Sequence, residues 1–361
     1  MKENLIPLLA CPACSGPFHL VGAEVDELEI QQGMLVCRQC GAEFAVRRAM
    51  PRLYIADQAW APKAQEAAGW VQIHQDLGIY EQGEEAIDLS IPYYPEEPWI
   101  GVARSFDMAL EYLQLTGRET ILDLGAGRGW AAKEFALLGC RVVALDVVAD
   151  ENVGLGRART IMTHAGTYFE RVIGDGENLP FQPDSFDLVF CAATLHHTSH
   201  LGRMIGEISK ILKPAGRLCA INEPCISILE QESEVLARDA AHEVSLGINE
   251  RRPNIQDYYA AVYQNSLVIE QAIPARAHDM DQHALKDWYY DVGAGRPPLR
   301  PKPRARSFWR LYNFGKNRLR ATWHGVYRQA TLPPPVTGRN QTAYHILMWT
   351  TGELFLLARK I

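Results

Sequence analysis

Two Cys-x2-Cys pairs, Cys11/Cys14 and Cys37/Cys40, lie at the front of this 361-residue chain. Four thiolates at that spacing suit a closed tetrahedral zinc site without an open position, which implies a structural metal rather than a catalytic one. A different chemistry is written in ILDLGAGRGW, where Asp123 closes an apolar run and Gly125, Gly127 and Gly129 follow at alternate positions. Glycines there let the backbone turn tightly and let a ligand approach closely. Asp146 closes RVVALD about 20 residues later, the place from which a carboxylate accepts ribose hydroxyls. Asp175 ends the next run, with Gly176 and Glu177 behind it as polar groups for a heteroaromatic base. The carboxylate directly before the glycines repels phosphate and attracts a cationic amino-acid head group, favouring a charged nucleoside over a dinucleotide. S-adenosylmethionine, with its sulfonium and ammonium, is such a ligand.

From residue 120 onward, short apolar runs alternate with helical patterns: TILDLG, a helix over 129–138, RVVALDV, a helix near 151–165, FERVIGD, FDLVFCAA, a helix over 201–212, and GRLCAINEP. Strand, helix, strand at this spacing predicts an α/β fold with a mostly parallel sheet covered on both faces and its ligand at the strands' carboxyl ends. SLVIEQAI at 266–273 and LFLLAR at 354–359 read as two further strands of that sheet. Ahead of the sheet, residues 60–100 suggest one or two helices ending in the irregular IPYYPEEPWI, and 102–115 another helix. Residues 1–55, with strand-like runs at Leu35-Val36 and Phe44–Val46, are too short to fold on their own apolar surface, which gives the metal a structural task.

Hydrophobic residues at 47% and charged residues at 22% exclude wholesale disorder and collagen-like or coiled-coil organisation. No apolar window of transmembrane length occurs, and the opening MKENLIPLLACPAC turns polar before a signal-peptide core could form, so a cytoplasmic chain is expected, with peripheral membrane attachment left open. The net charge of −7 conceals a division. Residues 295–328 hold ten Arg or Lys and no acid, leaving −17 elsewhere. The Pro-rich front of that segment should be extended, and its back, with Phe308, Leu311, Tyr312, Leu319, Trp323 and Val326, should form a basic amphipathic helix. It could rest on an anionic membrane, bind RNA, hold an anionic substrate, or pack on the acidic helices expected at 226–250.

Residues 118–225 resemble the class I S-adenosylmethionine-dependent methyltransferases, in particular the type 11 branch. Asp123, Gly125, Gly127 and Gly129 match the first motif, Asp146 the ribose-holding acid, and Asp175 the residue near the adenine amine. FDLVFCAATLHH matches the fourth strand and its exit, with Leu195 and His196 beside the cofactor. The front end is similar to the small zinc-ribbon-like proteins that activate certain methyltransferases and are fused to others, through CPAC and CRQCGAEFAV-x4-PRLYI. The usual Asp-Gly-Ile-Pro of those proteins is here Arg48-Ala49-Met50-Pro51. The resemblances imply a Rossmann-like seven-stranded sheet with a zinc-ribbon-like domain at 1–57, a helical linker and lid at 58–116, a core at 117–276, an insertion at 277–350 that is basic at 295–328, and a terminal core strand at 351–361.

Methyl transfer is an in-line displacement, so the enzyme chiefly aligns the acceptor and excludes water. An oxygen or nitrogen acceptor also benefits from a base, for which a neutral imidazole is suited. His197 is the first choice among His196, His197 and His200; the competing reading makes His196 and His197 loop-shaping residues bonded to backbone. Glu223, at the end of the fifth strand, could orient an acceptor hydroxyl or cap a helix. His242 and Glu243 are outside candidates, and Tyr93, Tyr94 and Trp99 either form a lid or seal a core edge. The expected activity is methyl transfer to oxygen or nitrogen of a small molecule, glycan or lipid-linked acceptor. Its rivals are tRNA or rRNA methylation and a non-catalytic cofactor-binding partner protein. Neither the acceptor nor the oligomeric state follows from the residues.

Overall fold

The apolar runs that begin at Thr120 become strands whose residues are buried almost without a break, as a sheet covered on both faces requires. They are β5 (Thr120–Leu124), β6 (Arg141–Asp146), β7 (Glu170–Gly174), β8 (Phe186–Ala192) and β9 (Leu212–Cys225). In this computed structural model, which describes residues 1–26, 28–57, 60–78, 85–275 and 338–361, they pair in parallel in the order β7-β6-β5-β8-β9. β10 (Leu267–Pro274) and β11 (Gly352–Lys360) complete the seven-stranded core, β11 lying antiparallel between β9 and β10. Both terminal strands thus form where their apolar runs predicted.

The front end supplies a second unit: β1 (Phe18–Val25), β2 (Ile30–Cys37), β3 (Glu43–Arg47) and β4 (Met50–Leu53), joined antiparallel in sequence order. β4 then pairs in parallel with β7, Arg52 opposite Ile173 and Leu53 opposite Gly174. The ribbon therefore extends the core into one eleven-stranded sheet. The tight turn between β3 and β4 places Arg48 and Ala49 at φ of +54° and +60°, which L-residues adopt at a cost and which Asp-Gly accommodates readily. Buried contacts hold it: the Met1 ammonium donates to the carbonyl of Ala49 at 2.9 Å and to Glu29 at 3.2 Å.

Helices cover both faces. On one lie α3 (Trp99–Leu113), α4 (Trp130–Leu137) and α5 (Ala158–Ala165), around a core that includes Phe106, Phe135 and Phe190. On the other lie α6 (Leu201–Ile211), α9 (Ile255–Gln264) and α10 (Gly338–Trp349). α9 begins with a capping box, Asn254 accepting from Gln256 N and Asp257 from Asn254 N. α1 (Ala61–Asp76), α2 (Glu85–Ser90), α7 (Glu232–Asp239) and α8 (Ala241–Ser245) stand above the carboxyl ends of the strands or beside them.

The described elements sharpen three of the expected boundaries. α5 starts at Ala158 rather than near 151, because Asp150 turns the chain by accepting from Asn152 N and Val153 N. The acidic stretch 226–262, expected to be helical, holds α7, α8 and most of α9, with the chain leaving helix between them. α10, which falls within the segment expected as an insertion over 277–350, buries Tyr344, Leu347 and Met348 in the core. The basic segment 295–328 lies outside the described residues. Among the described residues, no helix is long and apolar enough to cross a membrane.

Candidate active site

The carboxyl ends of β5 to β8 open into a cavity of about 360 Å³, with α1 and Trp99 forming part of its wall. The glycine loop forms its floor. Gly125 sits at φ +69°, and a Cβ there would meet Thr194 at 2.3 Å, so only glycine fits between the loop and the exit of β8. A Cβ on Gly127 would meet nothing within 4 Å, which leaves its backbone open to a ligand. Asp146 accepts from Gly127 N at 2.7 Å and from Val148 N at 2.8 Å. Those bonds fix the carboxylate at the end of β6, where burial raises its pKa.

Of the residues expected around a nucleoside, Gly125, Gly127, Asp146 and Gly176 line this cavity, whereas Asp123, Asp175, Glu177 and Leu195 are not in its walls. Asp123 turns inward, where its carboxylate accepts from Ala132 N at 2.9 Å and caps α4. Burial above all, then the Asp146 charge, pushes it up to about 7. Asp175 shapes the loop after β7 by accepting from Glu177 N, and Glu177 reaches across to Ser199 N at 2.7 Å. These carboxylates position the wall rather than form it. Leu195 is fully buried beneath the cavity-side loop.

Of the three histidines that follow β8, His197 is the one the structure brings to the cavity wall. Its Nδ1 lies 2.8 Å from the Asn249 carbonyl. A carbonyl only accepts, so the proton resides on Nδ1 and the lone pair on Nε2. Burial, reinforced by His196, holds His197 well below the usual imidazole range and keeps it neutral. Trp70 meets its ring edge-on at 5.3 Å. His196 has the loop-shaping role instead: its Nδ1 donates to Glu223 at 3.0 Å. Glu223 is completely buried and also accepts from the amides of Thr194, Leu195 and His196, so it clamps the loop after β8 and does not face an acceptor. His200 is exposed at the start of α6, outside the cavity. His242 is exposed, 3.9 Å from Asp76, and neither it nor Glu243 is in the wall. In the aromatic run, Trp99 reaches the cavity, while half-exposed Tyr93 donates to Asp107 on α3 and Tyr94 stays outside the wall.

Sequence reasoning passed over α1. Lys63, Glu66, Trp70 and His74 project from it into the cavity, a polar and aromatic stripe at i, i+3, i+7 and i+11 that helical periodicity could have exposed. Lys63 Nζ donates to Glu66 at 2.9 Å and to the His197 carbonyl at 3.2 Å, tying the helix to the histidine loop. Arg128 of the glycine loop is held by buried Asp88 of α2, which also accepts from Arg157.

The four ribbon cysteines converge as predicted, with all their sulfurs within 4.8 Å of one another. Cys11 and Cys40 are 3.7 Å apart and Cys14 and Cys37 3.5 Å. A zinc ion bonded at about 2.3 Å needs sulfur–sulfur edges near 3.8 Å, which those two edges approach, so four thiolates gathered in this way suit that ion. His196, His197 and Glu250 also lie within ligand reach of one another, but Asn249 takes His197 Nδ1 and Arg252 pairs with Glu250. The four remaining cysteines, Cys140, Cys191, Cys219 and Cys225, are buried in the core.

Residues 122–220 match the family model described as a methyltransferase domain, and residues 2–48 that of Trm112p-like protein. The chain is 34% identical over 131 residues to a glycine/sarcosine/dimethylglycine N-methyltransferase of Actinopolyspora halophila, covering 35% of this chain and 22% of that one. It is 31% identical over 171 residues to a sterol 24-C-methyltransferase of Eremothecium gossypii, covering 47% and 45%. The chain thus spans less than half of each of these curated relatives. Among solved structures, a Haemonchus contortus phosphoethanolamine N-methyltransferase 2 is similar with a TM-score of 0.44 and 15% identity, covering 72% of this chain and 52% of that one. With four convergent cysteines at one end and a glycine loop at the strand ends of the other, the chain joins a Trm112p-like zinc-ribbon domain to an S-adenosylmethionine-dependent methyltransferase domain in a single sheet.

Proposed function

We propose that this chain transfers a methyl group from S-adenosylmethionine to an oxygen or nitrogen of a small molecule, glycan or lipid-linked acceptor, with His197 as general base. The observation that carries this reading is a neutral imidazole, its proton fixed on Nδ1, in the wall of the cavity that the glycine loop floors. S-adenosylmethionine, when bound, supplies a methyl on a cationic sulfur, whose C–S bond breaks with the electron pair staying on sulfur. Asp146 would take the ribose hydroxyls, the glycine loop with the open backbone of Gly127 the methionine part, and Gly176 with Met204 the base side. His197 Nε2 accepts the proton that the acceptor loses as its lone pair forms the new bond to carbon. α1 and Trp99 exclude water from that step. The relatives' names support an acceptor of small-molecule class, an amine in one and a sterol in the other.

The four cysteines hold zinc in this reading, with a structural task because four thiolates leave no position for substrate. The basic run 295–328 holds an anionic acceptor or rests on an anionic surface of the cytoplasmic leaflet. Transfer of labelled methyl into fractionated metabolite, lipid and RNA pools tests the proposal. Label in the metabolite or lipid pool is expected. Label confined to RNA overturns the acceptor class, and cofactor binding with no labelled product in any pool overturns the activity.

A further inference from the structure

Glu66 is a carboxylate that the proposed chemistry does not use. It is 3% exposed, lies in the cavity wall, and stands on α1, which forms part of that wall. One oxygen accepts from Lys63 Nζ, which is itself shared with the His197 carbonyl. Asp146 from β6 shares the cavity wall, and the charges of Asp146 and of Asp175 beyond β7 both reach Glu66. His197 from the loop after β8 is neutral there. α8, packed on α1, contributes His242, which meets Asp76 at the far end of the helix. Arg128 is engaged by Asp88. In the cavity wall Glu66 and Asp146 thus face Lys63 and an Arg128 that Asp88 already pairs, while His74 of α1 is held below the usual imidazole range by burial.

We propose that Glu66 is the group that registers the charge of the cofactor, ionised when a sulfonium occupies the cavity and protonated when that charge is gone. The proposal rests on S-adenosylmethionine being the ligand. Burial foremost, opposed by the charge and hydrogen bond of Lys63 and aided to a lesser degree by Asp146 and Asp175, sets Glu66 at about 7, so it is poised between its two forms at neutral pH. A sulfonium seated within about 4–6 Å of this carboxylate would favour its ionised form by roughly one to three pKa units. Binding of S-adenosylmethionine then releases the Glu66 proton to solvent. S-adenosylhomocysteine carries a neutral thioether in place of the sulfonium and leaves the proton where it was. After transfer, the proton that the acceptor gave to His197 passes on to Glu66 as the sulfonium charge is lost, so the net charge of the cavity is unchanged.

Titration calorimetry of the full chain with each nucleoside, in buffers of different ionisation enthalpy at pH 7, counts the protons exchanged. The wild-type chain should release about half a proton more with S-adenosylmethionine than with S-adenosylhomocysteine. The preference for the sulfonium form should rise about five- to tenfold between pH 6 and pH 8. Both differences should shrink in Glu66→Gln, which keeps the shape of the side chain; the wild-type proton count stands whether or not that variant folds. Binding of both nucleosides with equal proton counts would overturn the role of Glu66 while leaving the cofactor in place. Undiminished differences in a folded Glu66→Gln would assign the proton to another group. Binding of neither nucleoside would instead overturn the cofactor on which the proposal rests.

Discussion

At the residue scale, one hydrogen bond decides what His197 can do. Because Asn249 offers only a carbonyl to Nδ1, the ring keeps its basic nitrogen at Nε2. His197→Ala should lower turnover by about 10² to 10⁴ and leave S-adenosylmethionine affinity unchanged, measured by labelled transfer and by calorimetry. Undiminished turnover would remove the base assignment. The low basicity of His197 also fixes two pH responses. At saturating cofactor, its acid limb in the rate profile should begin well below pH 6.5, since the imidazole is neutral throughout the range above. For stability, the unfolded chain binds the imidazole proton near pH 6.5 and the folded chain only at lower pH, so stability falls as pH drops below about 6.5. His74, whose pKa burial also lowers, adds to that slope. Chemical denaturation between pH 5 and 7.5 measures it, and His197→Gln should flatten it. Gly125→Ala drives a methyl group into Thr194. It should weaken nucleoside binding by tenfold or more, about 1.4 kcal/mol, read by the same calorimetry.

Elements carry the difference between what the residues disclosed and what the fold revealed. The seven core strands, the glycine loop and the cysteine pairs were legible because each follows from local pattern: unbroken apolar runs, glycines at a strand end, thiols at fixed spacing. The roles of Asp123, Asp175, Glu177 and Glu223 were not, because a carboxylate at a strand end looks the same whether it faces a ligand or an amide. Four of those groups turned out to bond backbone N–H groups of neighbouring loops and helices. α1 stayed hidden for another reason: its stripe is mixed in polarity, so no apolar periodicity marks the face that points inward. Trp70→Ala on that stripe removes the edge contact with His197 and opens the wall of the cavity. Turnover should fall more than nucleoside affinity does, a split that separate kinetic and calorimetric measurements would reveal. Equal loss of both would mean that α1 acts on the nucleoside alone.

At the scale of the whole molecule, the ribbon and the core share backbone hydrogen bonds through β4 and β7. Zinc content should be about one ion per chain, and a metal-free preparation with unchanged melting would exclude a structural ion. Replacing Cys11 and Cys40 by serine removes two of four ligands. It should destabilise the ribbon by several kcal/mol, and nucleoside affinity should fall with it, because Leu53 and Gly174 are paired at the margin of the cavity. Retained affinity in that variant would show that the two units are energetically separate.

The strand pairing at that seam also bears on how the protein behaves when it is cut or expressed in parts. β7 without β4 would present a row of unpaired N–H and C=O groups, an adhesive border that invites association with the next molecule. Here the Ile173–Gly174 end of that border is paired by a strand tethered to the same polypeptide, which reaches its place by an intramolecular search at high effective concentration. That pairing is therefore independent of dilution, and every copy of the catalytic half leaves the ribosome with its own guard already attached.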